Sequence, residues 1–204
     1  MVPEAIRILF RKTGMLQFIS HLDLMRTMTS ALIRAGIPVY YSEGFNPHPK
    51  ISFALPLSIG TQSICEYMDL KITKPMGKEE IRDALNAVLP EELRMLEVFS
   101  PVHKCQEIGW AEYEIGMDRA VDMEAFLGAP VIVRKKTKSG TEKEIDIRRQ
   151  IKSWKSEGNT LTVLLAAGNQ DYLNPESLVK ALGPIDYTIM RKHVYLADGE
   201  TLFR

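Results

Sequence analysis

Cysteine is scarce in this chain: two occur among 204 residues, Cys65 and Cys105, with no CxxC or CxxxCxxC spacing. That argues against a disulfide framework, a zinc ribbon and a self-contained iron–sulfur cluster. Two reduced thiols in a reducing cytoplasm are the expected state. A charge excess is also missing, since 26 basic residues balance 26 acidic ones. A protein that grips a long nucleic-acid backbone carries a basic surplus, so only a local basic patch stays open. Apolar runs such as residues 161–167 are far too short to span a bilayer, and Glu4, Arg7, Arg11 and Lys12 interrupt any signal-peptide core. A soluble, cytoplasmic protein with no membrane partner is the expectation. The chain has no P-loop, no GxGxxG after a strand, no HExxH and no GxSxG, and no metal ligands are expected.

What is present centres on residues 41–52, Tyr-Ser-Glu-Gly-Phe-Asn-Pro-His-Pro-Lys-Ile-Ser. Pro47 and Pro49 lack backbone donors and bias Asn46 and His48 to extended backbone. The segment is therefore expected to be a stiff, displayed loop with an imidazole, a natural proton-transfer group, at its centre.

Alternation predicts a strand over 5–10, with Ile6, Ile8 and Phe10 on one face and Arg7 and Arg11 bordering the other. Ser20 as N-cap and Asp23 in the first turn predict a helix running to about Ala35, where Gly36 stops it. On a wheel of about 100° per residue, Leu24, Met25, Met28, Ala31, Leu32 and Ala35 form the buried stripe, with His21 looking inward from its middle. Asp23, Arg26, Thr27, Ser30 and Arg34 form the polar face, so His21 and Asp23 point apart and make no local catalytic pair. Strands over 37–41, 51–55 and 64–72, a helix around 81–88 ended by Pro90, and a strand over 93–100 follow. The order is strand–helix–strand–strand–helix–strand, the split βαβ or ferredoxin-like arrangement.

The second half repeats this order more loosely. A strand is expected over 111–117 and a short helix over 123–127. One hairpin is expected over 130–148 across Ser139-Gly140 and another over 151–166 across Gly158-Asn159. A helix over 175–182, a strand over 185–196 and a tail from 198 that frays complete it. The expected fold is α+β: two tandem ferredoxin-like (βαββαβ) halves with antiparallel sheets, residues 1–104 and 105–204.

Candidate chemistry gathers in the first half. His48 and His21 are the candidate proton-transfer residues. Ser20, Asp23, Arg26, Ser42, Asn46, Lys50 and Glu66 are the candidate substrate- or partner-binding residues, with Arg26, Arg34 and Lys50 a modest basic patch. Plainer readings stand beside these. His21 reads more readily as a satisfied structural histidine, Ser20 and Asp23 most simply as a cap, and Glu66 and Asp69 as strand residues facing water. In the second half, Arg134 to Lys138, Lys143, Arg148, Arg149 and Lys152 surround Trp154. Such interleaving suits single-stranded RNA, and equally a hairpin edge guarded by lysines.

Residues 18–26 (Phe-Ile-Ser-His-Leu-Asp-Leu-Met-Arg), 34–38 (Arg-Ala-Gly-Ile-Pro) and 41–57, together with Gly60, Ser63, Glu66, Tyr67 and Asp69, resemble the bacterial radical SAM-linked protein family, a domain of unknown function. The resemblance is specific over the first third of the chain. It implies a small protein encoded beside, or fused behind, a B12-binding-type radical SAM protein. The iron–sulfur cluster and S-adenosylmethionine are then expected on that partner, with no cofactor held here. It strengthens the functional reading of the loop and, less so, of His21. The leading expectation is an accessory protein that binds or presents an RNA or protein substrate through a cleft in the first half, and is not an enzyme on its own. A stand-alone RNA-binding or metal-independent RNA-cleaving protein, and a plain protein-interaction module, are the alternatives.

Overall fold

Strand β1 (Glu4–Lys12) alternates as expected, placing Ile6, Ile8 and Phe10 in a core that excludes solvent. In the computed structural model, which describes residues 3–136 and 142–204, β1 belongs to the first of two compact units, Met1–Cys105 with Arg204. Gln106–Phe203 forms the second unit. Four helices and mostly antiparallel strands among the described residues make an α+β chain. No described helix is long and apolar enough to cross a membrane.

In the first unit β1 is followed by helix α1 (His21–Arg34), strands β2 (Ile51–Phe53) and β3 (Thr61–Ile72), helix α2 (Lys78–Asn86) and strand β4 (Met95–Phe99). The strands lie in the order β4-β1-β3-β2 and pair antiparallel, with Ile8 opposite Met68 and Met68 opposite Phe53. Leu24, Met28, Ala31 and Leu32 of α1, with Ile81 and Leu85 of α2, cover the Ile6–Ile8–Phe10 face. Each fully buried side chain of this kind contributes about 1.5–3 kcal/mol of transfer free energy.

Local chemistry sets the ends of α1. The Ser20 hydroxyl accepts the Asp23 backbone N–H at 3.1 Å and donates to the Asp23 carboxylate at 2.6 Å. At the other end Gly36 takes φ +68°, a conformation that a side chain disfavours, and turns the chain away. Met25 and Ala35, expected in the buried stripe, are only half-buried.

Three expectations for this unit are corrected. Residues 37–41 form no regular strand. They make isolated bridges at Val39 to Ile72 and at Tyr41 to Pro49, because the chain leaves the sheet edge after Tyr40 and regains it at Ile51. His21 is not turned inward. The residue is exposed, and its ring meets Phe53 edge-on at 5.3 Å. Arg7 does not border solvent: it is 1% exposed and lies on the sheet face away from Ile6 and Ile8.

The second unit runs β5 (Ile108–Met117), α3 (Met123–Leu127), β6 (Ile132–Lys136), β7 (Glu142–Asp146), β8 (Ile151–Glu157), β9 (Thr160–Ala166), α4 (Pro175–Ala181) and β10 (Tyr187–Leu196). Its main strands order as β10-β5-β9-β8, all antiparallel, while β6 and β7 pair as a separate hairpin. The expected Ser139-Gly140 turn lies outside the described residues. Asp122 and Asn174 cap α3 and α4 through their side-chain oxygens. The tail does not fray. Asp198 accepts the Glu200 and Thr201 backbone N–H groups, Leu202 bridges to Tyr195, and the Phe203 side chain is fully buried.

Candidate functional site

The proline-bracketed loop is a small hairpin pinched out of the sheet edge. Its neck is closed by Lys50 N–H donating to Tyr40 O at 3.0 Å and by Ser42 N–H donating to His48 O at 2.8 Å. The base is tied to β3 by Tyr40 N–H to Lys71 O, and by Thr73 N–H to Pro38 O, both at 2.8 Å. Pro49 is buried at the neck, whereas 43–48 are all exposed. Gly44 takes φ +127° at the tip, and the Phe45 ring beside it is fully exposed. A bare phenyl ring at the end of a braced hairpin has no stabilising role within the unit.

Ser42 holds His48 in two ways. Its hydroxyl oxygen accepts the His48 backbone N–H at 3.1 Å and lies 3.0 Å from the imidazole Nδ1, which is also 3.4 Å from Asn46 O. Whichever tautomer the ring adopts, Nδ1 is engaged inside the hairpin and Nε2 is the nitrogen left to meet a ligand. Among the described residues no carboxylate pairs with the ring, so the Ser42–His48 contact serves to orient the imidazole.

Two adjoining cavities flank this neck, of about 430 and 480 Å³. They share Met25, His48, Pro49 and Ile51. The first follows the outward face of α1 past Leu22, Arg26, Thr29, Ile33 and Arg34. The second lies at the sheet edge, where Lys50, Ser52, Asp69 and Lys71 join apolar Ile6, Leu70 and Pro101. Helix α1 thus carries a second apolar stripe opposite its core face, with Leu22 54% and Ile33 58% exposed.

The candidate residues separate into three groups. His48, Lys50 and Arg26 line the cavities, and Ser42 and Asn46 hold His48 from behind. Ser20 and Asp23 cap α1 and line neither cavity, although Asp23 approaches Arg26 at 3.4 Å. His21 also lines neither. Glu66 does not face water as its plainer reading had it: it is buried in β3 opposite Phe10.

Asp69 does not simply face water either. It accepts Arg7 Nε at 2.6 Å and Nη2 at 2.7 Å, a bidentate pair between residues 62 positions apart. The Cys105 thiol donates to the same carboxylate at 3.6 Å, and Arg7 Nη2 lies 3.8 Å from its sulfur. Burial, and then the neighbouring Asp69 charge, push the Cys105 thiol above its ordinary range, while Arg7 pulls the other way. Cys65 and Cys105 are both free thiols.

Sequence reasoning missed Leu22, Ile33 and Phe45. Leu22 and Ile33 fall on the polar half of the helix wheel, eleven residues apart and so nearly in register. An apolar pair on a polar face is the signal that could have found them.

In the second unit some of the basic residues are answered. Arg134 pairs with Glu144 at 3.3 Å, Arg148 with Asp146 at 2.7 Å and Lys155 with Glu157 at 2.5 Å. Lys152 donates to Asp198 O and sits 5.4 Å above the Trp110 ring. Trp154 is exposed beside them. Among the described residues no group of three or more His, Cys, Asp or Glu side chains converges as a metal site.

Comparison with curated proteins finds no match. Residues 5–175 match the family described as "Uncharacterized protein conserved in bacteria (DUF2344)", a span that covers the hairpin, α1 and both cavities. The chain therefore belongs to this bacterial conserved family.

Proposed function

We propose that this protein is an accessory subunit of a radical SAM enzyme, docking through its first unit and positioning that enzyme or its substrate. The partner would hold the iron–sulfur cluster and S-adenosylmethionine, and this chain would supply a recognition surface. One observation carries the reading: Phe45, Leu22 and Ile33 stand exposed around a braced hairpin and a helix whose opposite face already fills the core. Apolar side chains displayed on rigid elements, with basic groups at their rim, are what a partner-binding surface needs. The resemblance of residues 18–26, 34–38 and 41–57 to the radical SAM-linked family supplies the partner class.

The same proposal takes each unit as ferredoxin-like. Strand orders β4-β1-β3-β2 and β10-β5-β9-β8, each with one helix after its first strand and one before its last, support this. Cytoplasmic residence follows from such a partner. Stand-alone RNA binding has less support, because the chain carries no net basic charge and Arg134 and Arg148 are paired with Glu144 and Asp146.

Co-expression with the radical SAM protein encoded nearby, followed by size-exclusion chromatography, tests the proposal. A complex is expected with the natural chain and its loss with Phe45→Asp. Absence of any complex, together with no change in the enzyme's turnover, would sink it.

A further inference from the structure

We infer that the trough formed by the two adjoining cavities receives an acidic peptide segment carrying aliphatic anchors. This rests on the docking role proposed above and specifies the chemistry of what docks. The charged groups lining the trough are Arg26, Arg34, Lys50, Lys71 and Asp69. Four of the five are cationic in a chain whose formal net charge is zero. The single carboxylate is already committed, because Asp69 is held bidentately by the buried Arg7. Among the described residues Arg26 makes only the exposed, 3.4 Å contact with Asp23, the weakest class of ion pair. Arg34 donates to Val88 O and Ser30 and meets no acid in these contacts. His48 adds Nε2 at the junction of the two cavities, its other ring nitrogen being engaged by Ser42.

Between these cations the lining is aliphatic: Leu22, Met25, Ile33, Pro49 and Ile51. Apart from the His48 imidazole, no aromatic side chain among the described residues lines either cavity. Base recognition on a single strand relies on stacking of successive bases on several rings, and the trough offers one imidazole between aliphatic side chains, so the anion this surface suits best is a peptide carboxylate. Aliphatic side chains of the segment would occupy the α1 stripe, and its carboxylates would meet Arg34 and Lys71 at the two ends. Electrostatic complementarity of this kind sets specificity and on-rate more than total affinity.

Fluorescence anisotropy of the full chain against a short labelled peptide of glutamate and leucine tests the inference. A glutamine/leucine peptide, a lysine/leucine peptide and single-stranded RNA are the comparison arms. The acidic peptide is expected to bind saturably and at least about tenfold more tightly than either other peptide. Raised salt should weaken it, and the charge reversal Arg34→Glu with Lys71→Glu should cost about tenfold or more. The conservative pair Arg34→Lys with Lys71→Arg should retain binding, and circular dichroism of each variant checks the fold. Equal affinity for the lysine/leucine peptide, preference for RNA, or no saturable binding by any peptide would overturn the inference. Complex formation with the radical SAM protein that ignores both salt and the charge reversal would overturn it while leaving the docking role intact. Acidic-peptide binding without such a complex would do the opposite.

Discussion

Arg7 is the residue at which isolated inspection of the sequence misleads most. In an alternating strand it looks like a solvent-facing cation, yet its guanidinium is buried and its nearest carboxylate comes from a strand 62 residues away. Removing one member of a buried pair leaves the other charge desolvated, which costs far more than the intact pair contributes. Asp69 is 26% exposed, so some water compensation is available. Asp69→Asn should therefore destabilise the protein by about 2–4 kcal/mol in urea unfolding; a cost below about 1 kcal/mol would show that the pair is not the main partner of Arg7. Ser42 makes a smaller, local prediction. Its hydroxyl accepts the His48 backbone N–H in an exposed hairpin, so Ser42→Ala should change global stability little. Amide exchange at His48 should nevertheless become markedly faster, and unchanged protection would contradict the geometry.

At the scale of the element, α1 has two apolar faces with opposite energetics. Leu32 is fully buried against the sheet, whereas Ile33, its neighbour in sequence, is 58% exposed. Leu32→Ala should cost about 2–5 kcal/mol through lost transfer energy and the cavity left behind. Ile33→Ala should stay within about 0.5 kcal/mol. Urea midpoints of the two variants check the contrast, and comparable losses would mean that the outer stripe supports the fold and not a partner. The hairpin is the complementary element. Two prolines stiffen it, a glycine at φ +127° turns its tip, and four backbone hydrogen bonds at its neck and base do the rest. The stiffness matters to binding because a surface that is already ordered loses less entropy when it is covered.

For the molecule as a whole, acid stability is the property its charges predict most directly. The Arg148 guanidinium, and then the backbone N–H groups of Arg148 and Val131, hold the Asp146 carboxyl down at about 2. Backbone N–H groups of Glu200 and Thr201, with the Thr201 hydroxyl, do the same for Asp198. Both groups titrate lower in the folded chain than in the unfolded one, where the ordinary value is 3.8. The folded state then binds fewer protons. Their contribution is complete above the ordinary value, declines as pH falls through about 4 towards 2, and is gone below. The difference in Tm between the natural chain and Asp146→Asn should thus be largest near neutral pH and vanish near pH 2. A difference independent of pH would show that the carboxylate charge is not what stabilises the turn.

Local chemistry was enough to read α1, its Ser20 cap and its Gly36 stop from sequence, because a capping side chain acts on donors three residues away. Period-two alternation likewise identified β1, most of β3 and the strands of the second unit, and two prolines marked residues 41–52 as a displayed segment. Tertiary structure alone decided the rest. Residues 37–41 read as a strand, but distant partners at 71–73 hold its base and nearer ones at 48–50 close it into a pinched hairpin. His21 lies on the apolar side of an isolated wheel, yet the ring rests edge-on against Phe53 while the residue stays exposed. The 198–203 tail looks free until Phe203 finds its place in the core. Arg7, Asp69 and Cys105 converge only once β1 and β3 are in register. Short-range signals are written along the chain, whereas burial, pairing and charge compensation depend on which distant residue arrives next to which.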